Sequence, residues 1–80
     1  MAILIVCKSV ENGQEEQRYI LPAYSDAVEN ILKTISADCY EEQCRKNGEP
    51  NSVTVESGRA MAFVKNRKTG DSWLWRYFVL

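Results

Sequence analysis

The side chains that could do chemistry are few, and their spacing forms no catalytic pattern. The chain has no histidine, so a nucleophile such as Ser57 or Cys44 would lack its usual general base. The carboxylates are scattered over polar segments, and there is no glycine-rich loop of the kind that holds phosphate. We therefore predict a protein that is not an enzyme and that binds no cofactor.

The three cysteines, Cys7, Cys39 and Cys44, are the other reactive groups. Their odd number and the absence of a C-x-x-C pair argue against a disulfide scaffold and against a zinc site. Buried or half-buried thiols in a reducing compartment are the favoured interpretation. Disulfide pairing between two chains stays an open alternative.

Basic and aromatic residues concentrate near the C-terminus. Residues 57–80 hold both tryptophans, both phenylalanines and five bases against one acid, whereas residues 1–56 hold ten acids and five bases. A net charge of −5 therefore precedes one of +4. Aromatic, Met and Arg side chains are enriched at the centres of interfaces. The predicted partner-binding residues are Arg59, Met61, Phe63, Lys65, Arg67, Lys68, Trp73, Trp75 and Arg76.

The first predicted element is a β-hairpin. Branched apolar residues over positions 3–10 indicate a strand, and Asn12-Gly13 indicates a two-residue turn after it. That turn would place Val6 opposite Tyr19, and Pro22 would end the second strand. The core face would then hold Leu4, Val6, Tyr19 and Leu21, and the other face Ile3, Ile5, Cys7, Arg18 and Ile20.

A helix follows the hairpin. One apolar stripe at helical spacing consists of Val28, Ile31, Leu32, Ile35 and Cys39. Asp26 is the expected N-cap, with Glu29 three residues later, and Asn47-Gly48 is the expected C-terminal end. Ser36 is expected on the solvent side.

Three more strands are predicted over residues 52–56, 59–65 and 72–80. A Ser57-Gly58 turn would place Val55 opposite Ala60, with Ala60 and Ala62 towards the helix and Met61 and Phe63 on the other side. Both alternating sets of the last strand are bulky, as is typical of a central strand. Residues 1–80 therefore predict one α+β domain of order β-β-α-β-β-β: a five-stranded antiparallel sheet with a single helix on one face.

A single helix can cover only one face of such a sheet. The other face would expose Met61, Phe63 and one side of the last strand, an apolar patch of the kind that forms interfaces. It could bind another protein or pair with a second copy of the chain, giving a regulatory homodimer. Alternatively, the sheet curls, or residues 40–50 fold back and cover the patch.

A basic turn and a set of acidic residues can each be interpreted either as a binding surface or as ordinary solvent-exposed charge. The basic turn from Lys65 to Lys68 can bind an anionic surface or simply face solvent. Acidic residues can form a binding face or protect strand edges from aggregation. The acidic set is Glu11, Glu15, Glu16, Glu41 and Glu42.

Direct nucleic-acid binding is a weaker alternative. Residues 59–66, R-A-M-A-F-V-K-N, partly match an RNA-recognition signature, but Met61 and Asn66 replace two of its stacking aromatics. Basic side chains, together with bases stacked on Trp73 or Trp75, could still bind single-stranded nucleic acid. The acidic remainder of the chain disfavours this hypothesis.

The N-terminal residues M-A-I-L-I-V-C-K form an apolar run that ends at Lys8, without a basic start or a small-residue cleavage site. A strand is therefore expected there and not a signal peptide. No apolar run approaches the roughly 18 residues that a membrane span needs. We expect an unprocessed cytoplasmic chain.

The order of elements resembles that of small phage-encoded anti-CRISPR proteins that act on type I (Cascade-type) surveillance complexes. The likeness rests on a helix start at residues 23–26, a strand at residues 53–56, and a hairpin from Phe63 through the turn to Trp75. The resemblance implies a stoichiometric inhibitor that docks on a Cas subunit in the host bacterial cytoplasm. It would block target DNA binding or nuclease recruitment.

Overall fold

The fold is an antiparallel sheet with a helix on one face. The computed structural model describes residues 2–22, 27–58 and 60–80. Their strands are β1 (Ile3–Ser9), β2 (Glu15–Leu21), β3 (Val53–Ser57), β4 (Met61–Asn66) and β5 (Ser72–Val79), their α-helix is α1 (Val28–Asn47), and a 3-10 turn, Pro50–Ser52, precedes β3. The sheet order is β2-β1-β5-β4-β3. The predicted fold class, the order of elements and the central position of the last strand are confirmed.

The core lies between the sheet and α1, which packs against β3, β4 and β5. Its buried side chains are Ile3, Ile5, Cys7, Val28, Leu32, Val53, Ala62, Val64 and Trp75. Ile31, Ile35 and Cys39 of the predicted stripe are partly buried against it. Ser36, expected in solvent, is buried instead, and its hydroxyl donates to the carbonyl of Lys33 at 3.1 Å.

The first hairpin is shifted by one residue from the predicted pairing, because its turn is longer and β2 has a bulge where Cys7 pairs with Gln17 but Lys8 with Glu15. Ser9 N donates to Gln14 O at 3.0 Å and Gly13 N to Ser9 O at 2.9 Å, so the turn is longer than two residues. The longer turn moves the pairing by two residues and the bulge moves it back by one, so Ile5 pairs with Tyr19. A shift of one residue reverses every side-chain direction in a strand. The face assignment of β1 was therefore wrong, whereas Tyr19 lies on the helix side as predicted.

The side chains of β1 follow from this shift. Ile3, Ile5 and Cys7 face the helix, and Leu4 and Val6 face the other way. Each of these five positions is the reverse of the predicted one. The prediction for Leu21, Arg18 and Ile20 of β2 is confirmed, since these residues keep their expected faces.

The second hairpin also turns later than predicted, but its faces are preserved. Gly58 N donates to Met61 O at 2.8 Å, and Val55 pairs with Val64 instead of Ala60. The pairing shifts by four residues, and an even shift keeps side chains on the same face. Ala62 is accordingly buried on the helix side. Ala60 lies before the strand and is exposed.

The C-terminal end of α1 is as predicted. The helix ends at Asn47, and Gly48 adopts the left-handed conformation (φ 68°) while its N–H donates to Cys44 O at 2.9 Å. The predicted N-cap Asp26 lies outside the described residues, and Ala27 supplies no side-chain cap. In the described part of the chain, no helix is long and apolar enough to cross a membrane.

Candidate functional site

The face of the sheet opposite α1, which we name the open face, is the candidate site. Residues 40–47 continue α1 on the far side of the sheet, so they do not fold back over the open face. No second layer of the described residues packs on it. The interpretation in which those residues cover the patch is therefore wrong.

Cross-strand pairing arranges the open face in rows. Ile20, Leu4 and Phe78 are paired neighbours on β2, β1 and β5. Ile20 is 65% exposed and Phe78 52%, so this row presents apolar surface to solvent. The next row places Arg18 and Arg76 on either side of Val6.

A groove of about 400 Å³ runs along these rows. Its apolar floor comprises Leu4, Val6, Leu74 and Phe78, and its charged lining comprises Lys8, Glu15, Arg18 and Arg76. Val6 is only 6% exposed although it faces away from the helix. Its cross-strand neighbours on both sides, Arg18 and Arg76, have aliphatic stems long enough to cover it.

The open face is positive on a chain whose net charge is −1. Strand alternation places on it the cations Lys8, Arg18, Lys65 and Arg76, and the carboxylates Glu15 and Glu56. Arg18 pairs with Glu15 at 2.9 Å. Among the described residues, Lys8 and Arg76 have no carboxylate within ion-pair distance. Their charges are therefore free to attract an anionic group.

Four of the predicted binding residues lie together on this face: Met61, Phe63, Lys65 and Arg76. The tryptophans do not. Trp75 is 2% exposed in the core, and Trp73 lies on the helix side with its indole N–H donating to Glu16 at 2.9 Å. The expectation that the indoles share a binding surface with Met61 and Phe63 is thereby corrected.

The basic turn between β4 and β5 has structural contacts. The guanidinium of Arg67 donates to the carbonyl of Asn51, and the ammonium of Lys68 donates to the carbonyl of Asn47 at 3.2 Å. Asn47 is the last residue of α1, where a cation also offsets the helix dipole. Arg59 lies outside the described residues.

The sequence prediction missed Lys8, Leu74 and Phe78 as parts of this surface, and it did not single out Arg18. The register shift of the first hairpin explains why Lys8 was missed, because that shift exchanged the two faces of β1. The signal that could have found these residues is the alternation in β5. Arg76 is charged and β5 is central, so Leu74 and Phe78 belong on the same, uncovered face.

The cysteine thiols are not part of the open face. Burial, with a smaller effect of the Glu16 carboxylate, raises the pKa of Cys7 to about 12. Burial and the carboxylates of Glu42 and Glu16 raise the pKa of Cys39 to about 11. Both are protonated, weakly nucleophilic thiols at neutral pH. The described residues contain no group of three or more His, Cys, Asp or Glu arranged to hold a metal ion.

No protein-family model matches this chain, and no curated protein or solved structure is significantly similar to it. The functional argument therefore depends on the geometry and charge of the open face.

Proposed function

We propose that this protein is a non-enzymatic binding protein whose open face docks on an acidic, partly apolar surface of another protein. The observation that carries the proposal is the groove in which Arg18 and Arg76 flank an apolar floor. Two strand spacings separate these residues, so their backbones lie about 10 Å apart. A carboxylate of a partner can pair with Arg76, which has no ion-pair partner among the described residues, while apolar groups cover Phe78 and Leu74.

The apolar row and the cations of the open face contribute to such a complex in different ways. Burial of the apolar row supplies affinity, and the cations select an acidic partner and speed its approach. Arginine at the centre of an interface is a frequent hot spot. Arg76 on the central strand, without an ion-pair partner among the described residues, is the strongest candidate for that role.

The resemblance to anti-CRISPR proteins supports one partner, a subunit of a type I surveillance complex. A path that binds DNA is positively charged and would repel the cations of the open face. An acidic docking surface away from that path is complementary to them. We therefore favour inhibition by blocked nuclease recruitment over blocked target DNA binding.

The test is binding of the chain to purified type I surveillance complexes, measured by biolayer interferometry. Arg76→Glu should weaken binding at least tenfold. Lys33→Glu, which makes the same charge change on the exposed side of α1, should leave it within twofold. Absence of binding by the wild-type chain overturns the CRISPR assignment, and equal affinity of Arg76→Glu overturns the assignment of the open face.

The two alternatives lose support for separate reasons. A base cannot stack on Trp75 without opening the core, and Trp73 is held on the helix side. Self-pairing of the last strand edge to edge is blocked, because β5 pairs with β1 and β4, so a homodimer would have to form through the open face with Met61 and Phe63. A gel shift with single-stranded DNA and light scattering of the free chain distinguish these alternatives from protein docking.

A further inference from the structure

Strand β2 lies at one edge of the sheet, and among the described strands only β1 pairs with it. An edge strand presents unpaired main-chain N–H and C=O groups, which a strand of another chain can pair with. The residues of β2 that carry these outward groups can be identified from the hydrogen bonds of β1.

The main-chain hydrogen bonds of β1 alternate between its two neighbouring strands. Val10 N donates to Ser72 O at 3.0 Å, in the unbroken register of β1 with β5, so the even-numbered residues of β1 bond to β5. The odd-numbered residues therefore bond to β2, in agreement with the 3.0 Å bond from Ser9 N to Gln14 O.

Two residues of β2, Arg18 and Ile20, direct their main-chain groups outward. Tyr19 and Leu21 pair with odd-numbered residues of β1, so their main-chain groups bond to β1. Arg18 and Ile20 alternate with them, and their N–H and C=O groups point away from β1. Their side chains lie on the open face. A strand that paired with them would therefore place its own opposite residues on the open face as well.

The outer edge of β2 is protected along only part of its length. At the turn end, the bulge and the carboxylates of Glu15 and Glu16 interrupt regular pairing. Over residues 18–21 the register is regular and Arg18 is the only charge. Ile20 is 65% exposed. Native edge strands are commonly protected by charges, proline or bulges, so this apolar part of β2 is suited to strand addition.

The opposite edge of the sheet, β3, is less suited to strand addition because α1 packs against it. Gly58 N donates to Met61 O at 2.8 Å, so by the same alternation Val53 and Val55 direct their main-chain groups outward. Their side chains lie on the helix side, and a strand added there would place its own side chains beside α1. A strand added to β2 would instead extend the open face.

The rows of the open face indicate the chemistry of the incoming strand. Ile20 continues the apolar row of Leu4 and Phe78, so the residue opposite Ile20 should be apolar. Arg18 pairs with Glu15 through Nε and Nη2, whereas its Nη1 has no hydrogen bond among the described residues. A carboxylate opposite Arg18 can accept from Nη1, and its charge complements a positive face.

A second copy of the chain is a poorer occupant of this edge than a different protein. Residues 18–21 contain no acid, so pairing with the same residues of a second copy gives Arg18 no carboxylate. The acidic residue must therefore come from another chain.

We propose that the outer edge of β2 accepts an extended segment of the partner protein as a further antiparallel strand, with an apolar residue opposite Ile20 and an acidic residue opposite Arg18. This rests on the proposed function, because the segment would belong to the partner that covers the open face. The main-chain pairing supplies affinity, and the two side-chain contacts select the sequence of the segment.

The experiment is a ¹H–¹⁵N titration of the chain with the peptide acetyl-Ser-Thr-Val-Thr-Glu-Thr-Ser-amide. In antiparallel pairing its valine lies opposite Ile20 and its glutamate opposite Arg18. The amides of Arg18 and Ile20 should exchange with solvent quickly in the free chain and slowly at saturation. Those of Tyr19 and Leu21 should be protected in both states. Absence of saturable shifts, or unchanged exchange at Arg18 and Ile20, would overturn the proposal.

Two N-methylated peptides separate strand pairing from unspecific contact. N-methylation of the valine and the glutamate removes the N–H groups that face β2 and should weaken binding at least tenfold. N-methylation of the two threonines that flank the glutamate removes N–H groups that face away, and should leave the affinity within threefold. An equal loss with both peptides would contradict strand addition. A peptide with lysine in place of the glutamate should also bind at least tenfold more weakly.

The matched protein variants are Ile20→Pro and Ile20→Ala. Proline removes an outward N–H and no bond to β1, so the sheet should persist, which the signals of the other strands verify. Ile20→Pro should bind the peptide at least tenfold more weakly than Ile20→Ala, which keeps the N–H. Equal affinity of the two variants would contradict the proposal.

Two further outcomes separate this inference from its alternatives. Arg76→Glu should bind the peptide within twofold of wild type, because β5 is two strands away from β2. Peptide binding without any binding to the surveillance complex therefore contradicts the proposed function alone. Light scattering should show a monomer. A dimer whose Arg18 and Ile20 amides are already protected would show that a second copy occupies the edge, and would overturn the proposal.

Discussion

The side-chain amide of Asn66 donates to the side-chain carbonyl of Gln43 at 2.8 Å, and both residues are buried. The Asn66 carbonyl oxygen also accepts from Asn47 Nδ2 at 2.7 Å and from the backbone N–H of Lys68 at 3.1 Å. One amide therefore joins the last turns of α1 to the turn between β4 and β5. This junction holds the helix on one side of the sheet and leaves the open face uncovered.

Asn66→Ala should lower the free energy of unfolding by about 2–4 kcal/mol, because it leaves buried polar groups of Gln43 and the turn without partners. Asn30→Ala, at an exposed position of α1, should change it by less than about 0.5 kcal/mol. Urea unfolding followed by tryptophan fluorescence measures both. Equal unfolding midpoints for the two variants would show that the Asn66 network does not stabilise the fold.

Gly70→Ala should destabilise the protein by about 1 kcal/mol. Gly70 has φ of 84°, a left-handed conformation that strains a residue with a Cβ atom. Gly58→Ala is the matched control: its φ is not positive and a Cβ would meet nothing within 4 Å. Thermal melting should show a lower Tm for Gly70→Ala alone, and a similar loss at Gly58 would contradict the backbone argument.

Reversal of the basic turn, Arg67→Glu with Lys68→Glu, should lower stability by roughly 1 kcal/mol. The two cations donate to the carbonyls of Asn51 and Asn47, and negative charge at the helix C-terminus is unfavourable. Arg76→Glu should unfold at the same urea concentration as wild type. If the double variant is as stable as wild type, the side chains of Arg67 and Lys68 do not stabilise the fold. They are then free to bind a partner, as the sequence predicts.

Stability should decline as the pH rises above about 9, and the thiols should contribute to the decline. The folded chain holds the pKa of Cys39 at about 11 against an ordinary value of 9.0. Between these values the unfolded chain releases a proton that the folded chain retains, so unfolding becomes easier as pH rises. Cys39→Ala should flatten the slope of urea midpoint against pH, measured from pH 8 to 10.5 in reductant. A slope equal to that of wild type would contradict the raised pKa of Cys39 in the folded chain.

The fold was predictable where the two faces of an element differ in composition. In β4, small Ala62 alternates with Met61 and Phe63, so the face towards the helix could be assigned although the turn was misplaced. In β1, the run from Ile3 to Val6 is apolar at every position. Its pattern could not select a register, and the assignment depended on an assumed turn length and on regular pairing, which the bulge in β2 interrupts.

The site was only partly predictable for related reasons. Both alternating sets of β5 are bulky, so composition could not tell that Trp75 enters the core while Arg76 faces outward. The hydrogen bond between Asn66 and Gln43 could not be predicted from the sequence, because the two residues are 23 positions apart. The sequence marks Asn66 only as a residue that replaces a stacking aromatic in the partial RNA-recognition signature.

The most direct test of the central claim is hydroxyl-radical footprinting of the chain, free and bound to a type I surveillance complex, read by mass spectrometry. The account predicts that Phe78 and Met61, on the open face, lose reactivity in the complex, whereas Tyr40 on α1 keeps its own. Protection of Tyr40 with Phe78 still reactive would contradict it, because the helix side would then be the docking surface.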